Sequence, residues 1–521
     1  MSYGQYDNDE FEQVVASFYE INDDELFLSK MYSEMRNEDI KFIDKNVYYY
    51  WNEDTCLWTR ADDPSFIKRD IGNVLRHYID HVKGLFYPYY ERLAIDREHG
   101  VEIDEDKFTS YTKHIETIAK LHHKLGSDSK LNAIKNLAKS YLFDFKFIEQ
   151  LDQSQYLLPI EDNKVIDLES GKQRQRQRQD LFSFKLPIKW DCYKPEDETW
   201  VRNFILSMCN DDDKLYTFLQ VWLGYGITGS LEEQKFLIIY GENGSSGKSC
   251  LQSLMKSCLG DFFVQMHKDV ILKGNNGTSQ GPQPYLVDLR GKRQAWFSES
   301  GFNSEINEEM IKTMTGGDPI TARGLNQKPI TFMPTHKVTM ITNHKPLASS
   351  NGALWRRIML MENQRRYVDY TPNAEQYTNG EREKDPKIKS ICDKPSEGIK
   401  SAFLKFLIDG VLLWKQHGLE PYIPEVIKQS TSRYQQDQDL VFNFISECCE
   451  VLPEDPVNKT TWTKATEVLA KFKMYCTRND RQCNHNPTSL GKKLSEKYYS
   501  DILKIVKKKA SCYYYNLSIN L

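Results

Sequence analysis

Long apolar runs are missing from this 521-residue chain: the longest, such as FLIIY at 236–240, are strand-sized, far below the ~20 residues that a membrane-spanning helix requires. No basic-then-apolar leader opens it either, since MSYGQYDNDEFEQ is acidic. The expectation is a soluble intracellular protein with no membrane partner, in host cytoplasm or nucleus if the source is viral. The eleven cysteines (56, 192, 209, 250, 258, 392, 448, 449, 476, 483, 512) contain no CxxC pair, which argues against a disulfide frame or zinc ribbon and for reduced thiols. No internal repeat is present. Extreme charge is also lacking: 69 basic minus 74 acidic side chains gives −5.

That small net charge hides an asymmetry. Residues 1–110 carry 25 acidic and 12 basic side chains, net −13, whereas residues 460–521 carry 12 basic and 4 acidic, net +8. A basic terminal region suits a polyanion, although a solvated charged face has the same composition. With 40% apolar residues the chain is globular, and its length implies two to four domains.

Periodicity divides the chain further. Residues 1–110, an acidic N-terminal domain, mix helical patterns at 10–18 and 63–82 with an aromatic strand at 46–51. Residues 111–195 form a linking region, with helices at 111–125 and 130–141 and short strands at 156–160 and 165–168. Within it the basic run KQRQRQRQD at 172–180 is expected to be an exposed loop. Residues 196–365 begin with a helix near 200–226 and then alternate short apolar strands with helices, the mark of an α/β layer. Residues 366–436 read as a polar loop followed by a helical connector with a helix at 399–417. Residues 437–521 show helices at 440–449, 464–478 and 488–498 and strands at 502–507 and 512–519, a basic, winged-helix-like pattern. The expected fold is therefore multidomain: an α/β core, a mainly helical N-terminal region and a C-terminal winged helix.

Chemistry concentrates in FLIIYGENGSSGKS at 236–249, a buried-strand run and a glycine-rich turn leading into helical spacing at Leu251, Leu254, Met255 and Cys258. Such a turn (Gly241, Glu242, Asn243, Gly244, Ser245, Ser246, Gly247, Lys248, Ser249 and Cys250) brings backbone N–H groups to phosphate oxygens. Lys248 would reach the β- and γ-phosphates of ATP, and Ser249 would hold Mg²⁺. The strict G-x-x-x-x-G-K-[ST] spacing is broken, because Glu242 stands five before Gly247. A second strand, QAWFS at 294–298, ends at Glu299, where a phosphate-loop enzyme needs a carboxylate for metal and water. A third, VTMIT at 338–342, delivers Asn343, an amide able to position water.

These blocks, with IKTMTGGDPITAR at 311–323, ITNHKP at 341–346 and LWRRI at 354–358, resemble the superfamily 3 helicases. The likeness is to their phage, plasmid and large-DNA-virus (poxvirus-type) primase-helicase branch, and it covers about 140–520. The resemblance implies an AAA+-like ATPase working as a ring, expected from the family to be a hexamer, with ATP sites between subunits. It further implies Lys312 and Asp318 as the superfamily's extra motif, Asn343 as sensor, and Arg357, before Arg356, as the arginine reaching a neighbouring subunit. It places a hairpin gripping single-stranded DNA between Asp318 and the third strand, where Arg323 and Lys328 fit. Ser298 stands where many relatives have a second acid, so Glu299 alone would serve metal and water. Relatives often carry a primase domain first; none is expected within the 110 residues ahead of the linking region.

The function expected is an ATP-dependent replicative DNA helicase acting on single-stranded and forked DNA, with a separate primase or polymerase as a further partner. An origin-binding initiator and a DNA-remodelling ATPase without unwinding are the alternatives. In the C-terminal region Lys492, Lys493, Lys507, Lys508 and Lys509 are candidates for phosphate contact, or a charged solvent face. Two metal-like groupings, Asp104–Asp106 with His114 and Cys476 with Cys483 and His485, match no standard site and are expected to be structural.

Overall fold

A computed structural model of the chain describes residues 8–519 except 243, 274–282, 299–300, 302–303, 326–328, 350–351, 370–379, 452–462, 480–482, 484, 495–504, 509–511 and 516. It divides into two compact units: Met1–Pro187 with Ile330–Phe332, and Ile188–Pro329 with Met333–Leu521. The acidic region and the linking region as far as Pro187 thus form one unit, while the α/β layer, connector and C-terminal region fall in the other.

In the first unit, helices α1 (Asn8–Glu20) and α2 (Glu25–Arg36) precede an antiparallel sheet of β1 (Ile40–Phe42), β2 (Tyr48–Asn52) and β3 (Leu57–Ala61). Then come α3 (Pro64–Glu98), α4 (Glu105–Lys124), α5 (Asp128–Leu142) and α6 (Phe147–Gln150). The long helix α3 runs on past residue 82 because its apolar stripe does: Ile67, Ile71, Leu75, Ile79, Val82 and Phe86 are all buried, and Tyr90 and Leu93 pack beyond them. A second antiparallel sheet, β4 (Leu157–Pro159), β5 (Lys164–Asp167) and β6 (Gln173–Gln175), closes the unit.

The run at 172–180 is largely exposed, as expected, but β6 and the turn after it replace the expected loop. Arg174 forks onto Asp180 at 2.6 and 2.8 Å. Arg176, 4% exposed, donates to the carbonyls of Cys56, Thr55 and Ile160. Arg178 pairs with Glu53 at 2.7 Å and Asp39 at 3.0 Å. The arginines are an intramolecular clamp, with Arg176 and Arg178 answered by oxygens from distant segments.

In the second unit, α7 (Pro195–Met208) and α8 (Asp213–Tyr225) lead to β7 (Phe236–Tyr240), α9 (Lys248–Leu259), β8 (Phe263–Met266), α10 (Pro284–Val287) and β9 (Gln294–Ser298). After α11 (Glu308–Gly316) comes the short strand β10 (Ile320–Ala322) and then, past β11 (Ile330–Phe332), which belongs to the first unit, β12 (Lys337–Thr342), α12 (Gly352–Trp355) and β13 (Ile358–Glu362). Five strands form a wholly parallel sheet in the order β13-β7-β12-β9-β8. Four of its strands, β7, β9, β12 and β13, are buried along nearly their whole length, as strands covered on both faces are.

The stretch 365–400, expected to be a loop, instead contains a parallel pair, β14 (Arg366–Val368) with β15 (Glu381–Glu383), and helix α13 (Pro386–Asp393). The following α14 (Glu397–His417) crosses α8 backbone to backbone: a Cβ at Gly410 would lie 2.1 Å from the Gln220 carbonyl oxygen. Helix α15 (Glu425–Gln438) shields the sheet edge, the Thr431 hydroxyl accepting from the Leu360 N–H at 2.9 Å.

The C-terminal region has α16 (Leu440–Cys448), β16 (Cys449–Val451), β17 (Thr463–Lys464), α17 (Ala465–Arg478) and α18 (Pro487–Leu494). Strands β18 (Ile505–Lys508), β19 (Cys512–Tyr515) and β20 (Leu517–Ile519) follow, with β19 between β17 and β18 and β20 on β16.

Candidate functional site

The order of the parallel sheet places β7 between β12 and β13, neither of which neighbours it in sequence. Connections therefore diverge at its carboxyl end and leave a crevice there, the position where open α/β sheets bind ligands. Register decides what enters it. Tyr240 stands opposite Thr342, so Gly241 and Asn343 leave the sheet at the same level.

The loop from Gly241 to Lys248 turns through left-handed positions, Gly244 at φ 65°, Ser245 at φ 47° and Gly247 at φ 82°. Gly247 is also the N-cap of α9, and no side chain caps that helix, whereas α8 is capped by Asp212. The first N–H groups of α9 are thus left to other acceptors, and the helix terminus adds positive potential.

Lys248, 8% exposed, folds back over this loop. Its ammonium donates to Ser246 Oγ at 2.9 Å, Asn343 Oδ1 at 3.0 Å and the Gly241 carbonyl at 3.1 Å. All three acceptors are neutral. Burial without a carboxylate pulls its pKa down to about 8 from the usual 10.5. A Cβ at Gly241 would stand 2.6 Å from this ammonium and 3.0 Å from Ser246 Oγ, so a larger residue would displace the lysine from this position.

The loop is also held from beneath by residues that the sequence did not single out. Asn363 Nδ2 donates to the Ser246 carbonyl at 2.9 Å, and the Tyr367 N–H donates to the Ser245 carbonyl at 2.8 Å. The Tyr367 hydroxyl meets Ser207 Oγ at 2.7 Å. Arg365, 2% exposed, donates to the Ser207 carbonyl at 2.9 Å and pairs with Asp211 at 2.7 Å. Nothing local in the stretch 363–367 signals this role, because every one of these partners lies more than a hundred residues away in sequence.

The remaining candidates fall as follows. Glu242 and Ser249 are exposed, Ser249 in the first turn of α9. Cys250 is half-buried, and the Cys392 thiol, hydrogen-bonding to it, draws its pKa down to about 7 against burial. Asn243, Glu299, Lys328 and Lys509 lie outside the described residues. Ser298, beside Glu299 in sequence, binds Gln252 at 3.1 Å.

Lys312 pairs with Glu308 at 2.6 Å, and Asp318 is exposed. Arg357 is buried within its own chain: its guanidinium donates to Thr315 Oγ1 at 3.1 Å and to the Ala353 carbonyl at 2.8 Å. Arg356 is the exposed member of the pair.

Arg323 is exposed just after β10. In α18 Lys492 is exposed, whereas Lys493 pairs with Asp439 at 3.4 Å. The backbones of Lys507 and Lys508 lie in β18. Asp104 caps α4 through the Lys107 N–H at 3.0 Å, and Cys483 Sγ donates to the His485 carbonyl at 3.8 Å. Among the described residues no group of three or more metal-ligating side chains occurs, and no helix is long and apolar enough to cross a membrane.

Comparison with known proteins bears on the whole chain. Residues 25–209 match the family described as D5 N terminal like. A helicase candidate of Acanthamoeba polyphaga mimivirus is 27% identical over 400 residues, 75% of this chain and 40% of that protein. A primase candidate of African swine fever virus is 22% identical over 472 residues, 86% of this chain and 46% of that protein. A helicase candidate of Invertebrate iridescent virus 3 is 26% identical over 278 residues, 52% of this chain and 29% of that protein. The chain spans less than half the length of these curated relatives. Among solved structures, the apo C terminal region of NrS-1 aligns with 69% of this chain and 84% of its own at 13% identity, with a TM-score of 0.35.

Proposed function

We propose, on the premise that this chain is a relative of the poxvirus-type primase-helicases, that it is an ATP-dependent DNA helicase of the superfamily 3 kind. One observation carries the reading: a buried lysine and the Asn343 amide converge on an uncapped helix N-terminus at the switch point of a parallel sheet. A desolvated ammonium that has only neutral acceptors is poised for a polyanion, and the loop N–H groups would cradle the same phosphates. Lys248 would exchange its bonds to Ser246 and Asn343 for phosphate oxygens. Asn343, released by that exchange, would then be free to orient the attacking water. Mg²⁺ supplies charge neutralisation on the phosphates when bound; the exposed Ser249 hydroxyl and Glu299 are the residues that would hold it.

The finer assignments follow the same site. Subunits would assemble as a ring, with ATP sites between neighbours, on single-stranded and forked DNA. Arg356 takes the trans-acting role, because Arg357 is committed to Thr315 and Ala353 in its own chain. Arg323, just after β10, and Lys328 would grip the strand. The three helices and hairpin of the C-terminal region are read as a winged helix in which Lys492 is an exposed cation on the third helix. Strand displacement on forked DNA with ATP and Mg²⁺ tests the proposal. The wild-type chain should unwind the fork, and Lys248→Ala should abolish both hydrolysis and unwinding. Hydrolysis without unwinding would favour a remodelling ATPase.

A further inference from the structure

The segment leaving α5 runs along the free edge of the antiparallel sheet in the first unit. Phe143 bridges to Phe42 of β1, and the Asp144 N–H donates to the Phe42 carbonyl at 2.8 Å. This anchoring holds two aromatic rings in solvent: Phe143 is 50% exposed and Phe145 61%. Neither packs on another aromatic ring among the described residues. Exposed phenylalanines at a fixed position, two apart on an ordered edge, present flat apolar faces to solvent.

Lysines lie on the adjoining segments, and the one acid between the rings, Asp144, has its carboxylate turned to the Lys146 and Phe147 N–H groups at 3.0 and 3.1 Å. The Lys139 ammonium lies 5.8 Å from the centre of the Phe42 ring, Lys135 is one turn earlier on α5, Lys45 follows β1, and Lys146 follows Phe145. Burial and then Lys135 and Lys45 lower the Lys139 pKa; burial and then Lys68 lower that of Lys135, with Asp128 opposing. The charges that these ammonium groups feel are therefore mostly those of other lysines. None of Lys45, Lys135, Lys139 and Lys146 forms an ion pair among the described residues, whereas Lys124 and Lys130 of the same unit both pair with Asp23.

We infer that this surface binds single-stranded nucleic acid, Phe143 and Phe145 stacking on unpaired bases while Lys45, Lys135, Lys139 and Lys146 meet backbone phosphates. Rings beside uncompensated cations form the stacking platform and charged track that such strands use, and every unpaired base offers a face to stack. A duplex hides those faces, which makes it the poorer ligand. The inference stands on the first unit alone and does not depend on the ATP site.

The test uses the full chain without nucleotide and a 5-iododeoxyuridine-substituted oligo(dT), photocrosslinked and digested with trypsin. The adduct is expected on peptide 140–146, which holds both rings. Phe143→Ala with Phe145→Ala should remove that adduct and weaken oligo(dT) binding by on the order of tenfold per ring. Replacing the four lysines by alanine should flatten the salt dependence by roughly 0.7 for each phosphate no longer neutralised. Oligo(U) in parallel separates RNA from DNA, and duplex should compete poorly. Thermal melts confirm that the variants fold, and the wild-type crosslink stands even if they do not. Adducts confined to other peptides would overturn the inference. So would a double variant that binds oligo(dT) like the wild type but sediments differently, which would make the patch a protein interface.

Discussion

Raising the pH through 8 should loosen nucleotide binding, and the size of the effect follows from one side chain. Burial lowers the Lys248 pKa from 10.5 to about 8, which at ~1.4 kcal/mol per unit means that keeping it charged in the empty site costs on the order of 3 kcal/mol. A triphosphate would restore that charge. The sign follows from linkage: nucleotide binds the protonated form, so affinity is full below about 8 and falls as the free site loses its proton above it.

The expected Kd is flat from pH 6.5 to 7.5 and then rises about tenfold per pH unit beyond 8, until the pKa of the bound state is reached. Cys250, drawn down to about 7, adds a thiolate near the loop and would weaken binding over an earlier range, so the measurement belongs in a Cys250→Ser background. Titration of a fluorescent ATP analogue with Mg²⁺ reads the constant directly. Lys248→Arg, always charged, should bind more weakly but without the rise above pH 8. A wild-type Kd independent of pH up to 9.5 would refute the reasoning, as would the same rise in Lys248→Arg.

Other expectations follow from single interactions. Asn363→Ala frees the Ser246 carbonyl and should raise the nucleotide Kd several-fold with unchanged secondary structure, measured by the same titration and circular dichroism. Gly410→Ala gains up to ~1 kcal/mol of helix propensity but drives a methyl against the Gln220 carbonyl, so urea unfolding should show a net loss of roughly 1–3 kcal/mol. Arg356→Ala should lose ATPase at normal stability, whereas Arg357→Ala, which empties a buried site beside Thr315, should lower the melting temperature; the reverse pattern would return the trans-acting role to Arg357. Lys328→Ala should retain ATPase but lose unwinding on forked DNA, and equal loss of both would make the turn structural.

The strand, turn and helix around Gly241–Lys248 could be read from the sequence because their causes are local. A β-rich run, glycines that permit positive φ and a helical apolar stripe need no distant partner. The strands ending at Ser298 and Thr342 were visible for the same reason. Which residues they would bring together was not. Lys248 and Asn343 meet across 95 residues only because β12 pairs with β7 in one register, and a shift of that register would carry the amide elsewhere.

Residue type was ambiguous wherever packing chose the partner. Adjacent arginines at 356 and 357 look alike in sequence, yet their side chains leave the chain in different directions, and one is buried against Thr315. The run at 172–180 has the composition of a solvated linker, but strand pairing brought its arginines to Asp180 nearby and to Glu53 and backbone carbonyls more than a hundred residues away. Residues 363–367 likewise acquired a role beneath the loop through hydrogen bonds to Ser245, Ser246, Ser207 and Asp211. Local propensity and spacing determined the strands and helix that carry the phosphate-loop chemistry and where that chemistry sits, but not the strands at 173–175, 366–368 and 381–383. Only the tertiary structure decided which side chains share the site, because a long-range interaction depends on register and packing that no short window contains.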